Sequence, residues 1–154
     1  MTGAIRAAQN AFKAEHGTYA NVSTDTASYY PAANPGSFVT AWGGPCANCN
    51  AGVSWDNIEV RPKSPVMFGY ATVAGIGAAA LNGANNPPPG PAAMAPMAAR
   101  AAGPGGPGPA GAVIGPADPF FLTVAWGDPN ADGDTTIVYG YSMTSEIVVK
   151  GADQ

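Results

Sequence analysis

The sequence predicts an α+β fold in which one N-terminal helix packs on an antiparallel sheet of three or four strands. Three observations predict this fold. Apolar residues recur with a helical period at the start of the chain, segments rich in β-branched and aromatic residues dominate its end, and short turn-forming stretches connect the last of these segments. With 154 residues, the chain suits a single domain spanning residues 1–154.

The helix is predicted over residues 3–16. Ile5, Ala8 and Phe12 recur at spacings of three and four, so they share one face of the helix. Gly17 follows, and glycine is the residue that most often stands just past the end of a helix. Because a helix of this length is marginal on its own, its apolar face is expected to pack on the sheet.

Several segments have the composition of strands. The predicted strands are residues 66–73, 120–126, 135–143 and 146–150, and residues 38–42 form one further short candidate. The last three of the main strands follow one another through short connections, which favours an antiparallel meander. The first main strand is separated from the second by a long biased segment.

Residues 18–64 are otherwise predicted to be irregular, since Asn, Ser, Thr and Pro interrupt the aromatic residues there. Trp55 and Ile58 are three apart, which fits a single helical turn capped by Ser54. Aromatic side chains in these loops are candidates for an adhesive surface. The predicted surface contacts are Tyr29, Tyr30 and Trp42.

Residues 82–119 hold most of the proline excess of the chain. The whole sequence has 21 Gly and 16 Pro, together about a quarter of its residues, where average usage gives roughly 12%. Glycine does not recur at every third position, which argues against a collagen helix. Such a composition supplies no core, so a long extended or flexible insertion at the surface is predicted.

The low charge of the chain limits its partners. Only 10% of the residues are charged and the net charge is −4. The Lys and Arg residues are scattered, so no basic stripe is available to neutralise a phosphate backbone, and nucleic acid is not expected as a partner. No apolar run approaches the roughly 18 residues that a membrane-spanning helix needs.

Cys46 and Cys49 form a CxxC pair that admits three interpretations. A redox dithiol is one, although no βαβ pattern surrounds the pair. Half of a zinc site is another, although the chain has only one histidine, His16, to complete it. The favoured interpretation is a small structural disulfide formed outside the cytoplasm.

Alternating oxygen donors near the end of the chain suggest a cation loop. They are Asp128, Asn130, Asp132 and Asp134, with a glycine directly after the third donor. This matches the first half of the calcium-loop pattern. The second half fails, because a tyrosine stands where the bidentate Glu belongs. Weak structural calcium binding and a plain hairpin turn are therefore both predicted as alternatives.

No catalytic residue is predicted. His16 follows the helix alone, and no Ser or Cys stands in a recognisable nucleophile motif. Gly75 and Gly77 begin a dinucleotide-binding pattern, but no acidic residue follows about 20 positions later, as that motif requires. We expect neither a cofactor, apart from the calcium just described, nor an enzymatic activity.

Three pieces of the chain, taken in order, resemble type IV pilins, particularly those of the delta-proteobacterial kind. Residues 3–19 (GAIRAAQNAFKAEHGTY) look like the exposed second half of the N-terminal helix of these pilins. Residues 55–70 are similar to the segment that leads into their first strand. Residues 125–141 are similar to their final hairpin, with its Gly-Asp-x-(Asn/Asp)-x-Asp-Gly turn. The resemblance covers roughly half of the chain and excludes the Pro/Gly-rich segment and the CxxC pair.

The resemblance implies a pilin-like fold and a structural subunit of a surface filament of the type IV pilus class, serving adhesion or motility. The implied partners are other pilin subunits and the pilus assembly machinery. A minor pilin or a type II secretion pseudopilin is the related alternative. A periplasmic thiol–disulfide protein using Cys46 and Cys49 is the alternative of a different class.

Pilins begin with a basic leader, a peptidase site and an apolar helix that carries a single Glu, and this sequence contains none of them. The resemblance therefore implies a longer natural chain with a methylated N-terminus after processing. It also implies a precursor anchored in the inner membrane through that helix, with this domain in the periplasm, and an extracellular filament as the final location.

Overall fold

The computed structural model describes residues 1–32, 38–76, 118–142 and 147–151. Within them the chain forms one helix and four strands: α1 (Thr2–His16), β1 (Gly69–Ile76), β2 (Pro119–Gly127), β3 (Thr136–Tyr141) and β4 (Ile147–Lys150). The strands lie in the order β1-β2-β3-β4 and each neighbouring pair is antiparallel. The predicted α+β fold and the meander are confirmed. Of the predicted insertion over residues 82–119, residues 82–117 lie outside the described residues.

Helix α1 ends as its sequence predicts. Gly17 adopts a left-handed conformation with φ 76°, and its N–H donates to the carbonyl of Lys13. At the other end Met1 supplies no capping side chain. Ile5 is completely buried on the sheet side, whereas Ala8 and Phe12 are half-buried at the margin of the same core. Among the described residues, no helix has the length and apolar character needed to cross a membrane.

The two faces of the sheet differ in composition, because side chains alternate along each strand. The inner face, towards α1, includes Tyr70 and Ala125 in the core with Ile5, and Thr72 beneath Gln9. The opposite face, here called the outer face, is mostly apolar and aromatic. It includes Ala71, Val73, Leu122, Val124, Trp126, Ile137, Tyr139, Tyr141 and Val148.

The first strand begins later than the sequence predicts. It starts at Gly69, while Val66 makes an isolated bridge to Thr40 with N–O distances of 2.8 and 2.9 Å. The predicted strand over residues 38–42 is wrong, since this bridge is its only ladder contact among the described residues. Pro65 has no N–H to extend the ladder on that side, and Phe38 is 86% exposed.

Residues 54–60 form hydrogen-bonded turns, but the predicted Ser54 cap is wrong, because the Ser54 hydroxyl donates to Asn57. The N–H of Val60 donates to the carbonyl of Trp55 at 3.2 Å. The N–H and hydroxyl of Ser54 both donate to Asn57 Oδ1, at 2.7 and 2.9 Å. Asn57 is therefore the acceptor that fixes the turn, as short amide side chains often do. Trp55 and Ile58 are both buried beneath it.

Candidate assembly surface

An open groove of about 260 Å³ lies beside the start of α1. Its lining residues are Met1, Thr2, Gly3, Phe68, Tyr70, Ala125, Val138 and Ile147. None of them has a charged side chain, and most are apolar. A groove of this kind suits an apolar side chain from a partner better than a charged or strongly hydrated ligand.

Exposed apolar side chains stand beside this groove on β4. Ile147 is 41% exposed and Val149 is 49% exposed. The side chain of Ile147 lies near both Gly3 of α1 and Gly140 of β3. β4 is the last strand in the sheet order, and such an edge presents unpaired backbone groups to a partner. We call the groove together with Ile147 and Val149 the assembly surface.

Tyr70 links the assembly surface to an aromatic cluster within the core. The centroid of its ring lies 5.9 Å from that of Trp42. The Trp42 ring in turn lies 4.8 Å from that of Tyr30 and 5.3 Å from that of Trp55, centroid to centroid. Burial raises the pKa of Tyr70 above its usual 10.0, so this wall of the groove is a neutral phenol at physiological pH. The cluster therefore packs behind this wall of the groove.

Two of the three predicted surface aromatics are buried, so that part of the prediction is wrong. Tyr29 is 7% exposed because it stacks on Trp126 with the ring centroids 5.3 Å apart. Tyr30 is 6% exposed because its ring packs against those of Trp42 and Trp55. Its hydroxyl donates to the carbonyl of Gly44 at 2.8 Å. Trp42 is half-buried, and its role as a surface contact stays a prediction.

The sequence reasoning missed Gln9, which is completely buried between α1 and the sheet. Its side-chain amide bonds to the backbone of Ala20 and to the hydroxyl of Thr72. One signal could have found it. Gln9 lies four residues after Ile5, on the same face of the helix, where a polar side chain must find partners inside the fold.

The Cys46–Cys49 disulfide is present, with the two Cα atoms 5.4 Å apart. Hydrogen bonds join its loop to residues 21–23. Cys49 forms an isolated bridge with Ser23, and Asn50 Nδ2 donates to the carbonyls of Asn21 and Ser23 at 2.8 and 2.9 Å. Both sulfur atoms pack against the inner core, so the disulfide fixes a loop that supports the aromatic cluster.

The Asp-rich loop between β2 and β3 is held by its own hydrogen bonds. Asp128 Oδ2 accepts from the N–H of Gly133 at 3.1 Å, and Asp132 Oδ1 accepts from the N–H of Asp134 at 2.8 Å. Asp132 Oδ2 accepts from Asn130 Nδ2 at 2.7 Å. Across the part of the chain that the structure describes, no three His, Cys, Asp or Glu side chains are grouped to hold a metal ion. These contacts are those of a hairpin turn, and calcium binding stays a prediction.

The remaining residues considered for chemistry have structural contacts. His16 packs its ring on Phe12 with centroids 4.1 Å apart and lies at the exposed end of α1. The hydroxyl of Ser142 accepts from the N–H of Phe121 at 3.2 Å.

Comparison with known protein families, curated proteins and solved structures finds no match to this chain.

Proposed function

We propose that this protein is a structural subunit of a surface filament of the type IV pilus class, which acts by packing against other copies. The observation that carries the proposal is the assembly surface, where an uncharged groove and the half-exposed Ile147 and Val149 lie together at the start of α1. Apolar side chains grouped at one exposed place mark a protein interaction surface.

The fold supports the proposal in its coarse features. A single N-terminal helix lies on one face of a four-stranded antiparallel meander, as the resemblance of residues 3–19 and 125–141 to pilins implies. In the proposed filament this domain forms the exterior, and an apolar helix ahead of it would bundle with its copies in the filament core. The partners are other pilin subunits and the assembly machinery, and the precursor holds this domain in the periplasm.

The experiment that tests the function is to shear surface filaments from the source cell and to measure this protein in them by quantitative mass spectrometry. We expect it to dominate the filament fraction, with an apolar extension ahead of Gly3. A trace amount would favour a minor pilin or pseudopilin. Absence from filaments would contradict the proposal, and an insulin-reduction assay of the Cys46–Cys49 pair would then test the thiol–disulfide alternative.

A further inference from the structure

One edge of the sheet, that of β1, is closed by another part of the chain. Backbone N–H groups that point away from β2 are those of Tyr70, Thr72 and Ala74. In that order they donate to the carbonyl of Tyr30 at 2.8 Å, to Ser23 Oγ at 3.1 Å and to Asn21 Oδ1 at 2.9 Å. Because these groups already have partners, the edge of β1 is not available to a strand from another molecule.

The opposite edge of the sheet, that of β4, is open within the described part of the chain. The N–H of Ser142 donates to the carbonyl of Phe121 at 3.1 Å, which shows which residues of β3 turn their backbone groups towards β2. Followed through the register, the same alternation turns the backbone groups of Val148 towards β3 and those of Ile147 and Val149 away from it. No described residue forms a hydrogen bond with these outward groups.

The side chains at the same two positions are apolar and exposed. Ile147 is 41% exposed and Val149 is 49% exposed. Both lie on the inner face of the sheet, since Val149 pairs with Val138, which lines the groove. Edge strands are commonly protected by charged residues or proline, and neither stands at these two positions. Backbone and side chains of β4 are therefore both suited to an added strand with apolar residues.

We propose that β4 pairs with β4 of a second copy, antiparallel and across a two-fold axis, so that the two sheets become one. The strand is complementary to itself in this register. Ile147 lies opposite Val149 of the second copy, and each such pair exchanges two backbone hydrogen bonds. The exposed side chains of the two copies then cover one another. A second copy has no other sheet edge to offer among its described strands, because that of β1 is closed.

The inference goes beyond the proposed filament function and does not rest on it. A two-fold contact closes at two copies and cannot by itself extend a filament. Pairing through β4 and incorporation into filaments are therefore separate events with separate measurements. Absence of the protein from sheared filaments would leave the pairing intact, and absence of pairing in solution would leave the filament proposal intact.

Sedimentation equilibrium of the intact chain tests the pairing. We expect a dimer with a dissociation constant between about 10 µM and about 1 mM, because one short strand makes a small interface. Val149→Pro removes the outward N–H and keeps an apolar side chain, so it should weaken the dimer at least about tenfold. The matched control, Val149→Thr, keeps the N–H and the branched shape and should weaken it less. A chain that is monomeric at about 1 mM, or equal effects of the two variants, would overturn the proposal.

Cross-linking tests the register and does not depend on the folding of the proline variant. Val148 lies opposite Val148 of the second copy in a pair without hydrogen bonds, where the Cα atoms are about 4.5 Å apart and within reach of a disulfide. With oxidised glutathione as the oxidant, Val148→Cys should form a covalent dimer at least about tenfold faster than Ile147→Cys, whose counterpart is Val149. Equal rates for the two variants would show that β4 does not pair in this way.

Discussion

The side-chain amide of Gln9 pairs with the backbone of Ala20 much as one strand pairs with another. The N–H of Ala20 donates to Gln9 Oε1 at 2.9 Å, and Gln9 Nε2 donates to the carbonyl of Ala20 at 2.8 Å. Nε2 also donates to Thr72 Oγ1 at 3.1 Å, and this hydroxyl lies 3.0 Å from that of Thr123. One buried side chain therefore joins α1, the segment after it and β1, and through Thr72 it reaches β2.

We expect Gln9→Met to lower the free energy of unfolding by about 2–3 kcal/mol, because it leaves the buried N–H and carbonyl of Ala20 without their partner. Urea unfolding measures the change. The matched control is Asn10→Met, which places the same side chain at the exposed neighbouring position and should stay within about 0.5 kcal/mol of the native protein. Equal losses in the two variants would contradict the role assigned to Gln9.

The disulfide is expected to contribute modestly to stability. It closes a ring with a sequence separation of 3, so the double variant Cys46→Ser, Cys49→Ser should lose about 1–2 kcal/mol, near the lower end of the range for disulfides. The reductant TCEP should destabilise the native chain by a similar amount and leave the double variant unchanged. Before reduction, Ellman's reagent should detect no thiol. Two reactive thiols in the native protein would disprove the assignment.

Alkaline pH is expected to destabilise the fold through Tyr29. Burial, and secondarily the nearby Asp25, raises the pKa of Tyr29 from 10.0 to about 12. The folded state thus keeps the phenol protonated where the unfolded state loses its proton. The contribution of Tyr29 is complete below pH 10 and is lost as the pH rises from about 10 to about 12. At about 1.4 kcal/mol per pKa unit, it amounts to at most about 3 kcal/mol.

The test compares the native chain with Tyr29→Phe, which keeps the ring that stacks on Trp126. Burial also raises the pKa of Tyr70. Tyr70 is present in both proteins, so its effect cancels in the difference. We expect the stability advantage of the native chain to shrink as the pH passes from about 10 to about 12. Curves that run parallel throughout this window would show that Tyr29 ionises equally in both states.

Calcium at millimolar concentration is expected to leave the melting temperature unchanged. Both carboxylate oxygens of Asp132 already accept hydrogen bonds inside the loop, from Asn130 and Asp134. An ion of this size needs six to eight oxygen ligands, so it would have to displace these bonds. Thermal melting with and without calcium is the measurement. A rise in melting temperature that Asp132→Asn abolishes would establish the calcium site instead.

Filament yield is expected to depend on Ile147. Ile147→Asp places a charge in the assembly surface, where burial against a neighbouring subunit would be strongly unfavourable. We expect at least about a tenfold loss of sheared filaments, equivalent to about 1.4 kcal/mol. The control is Ile76→Asp, a change at a residue that is 57% exposed at the far end of β1. Melting curves show whether either variant is unfolded. Equal filament yields from two folded variants would remove the assembly surface from the proposal.

Local signals predicted the elements of the fold better than their contacts. The helix and its end at Gly17 follow from periodicity and from one glycine, both readable along the chain. The start of β1 could not be predicted from composition. Val66 is a strand-forming residue, but its pairing with Thr40 is an isolated bridge and not part of a ladder. The burial of Tyr30 likewise depends on its ring contacts with Trp42 and Trp55, which lie 12 and 25 residues away and which composition does not encode.

The candidate site was harder to predict than the fold. Its groove combines residues of α1, the segment before β1 and all four strands, and no spacing in the sequence brings these elements together. Gln9 was overlooked for a related reason. Its partners, Ala20 and Thr72, lie 11 and 63 residues away, so the polar network becomes visible only once the helix lies on the sheet.

The pairing of Ile76 with Pro119 also governs how this protein could vary. β2 pairs with β1 over all of Gly69–Ile76, so the pairing of the two strands is complete without the residues between them. The entropic cost of closing a connecting segment grows only logarithmically with its length, by about 0.6 kcal/mol of free energy for each doubling. Insertions and deletions between these two positions should therefore be tolerated.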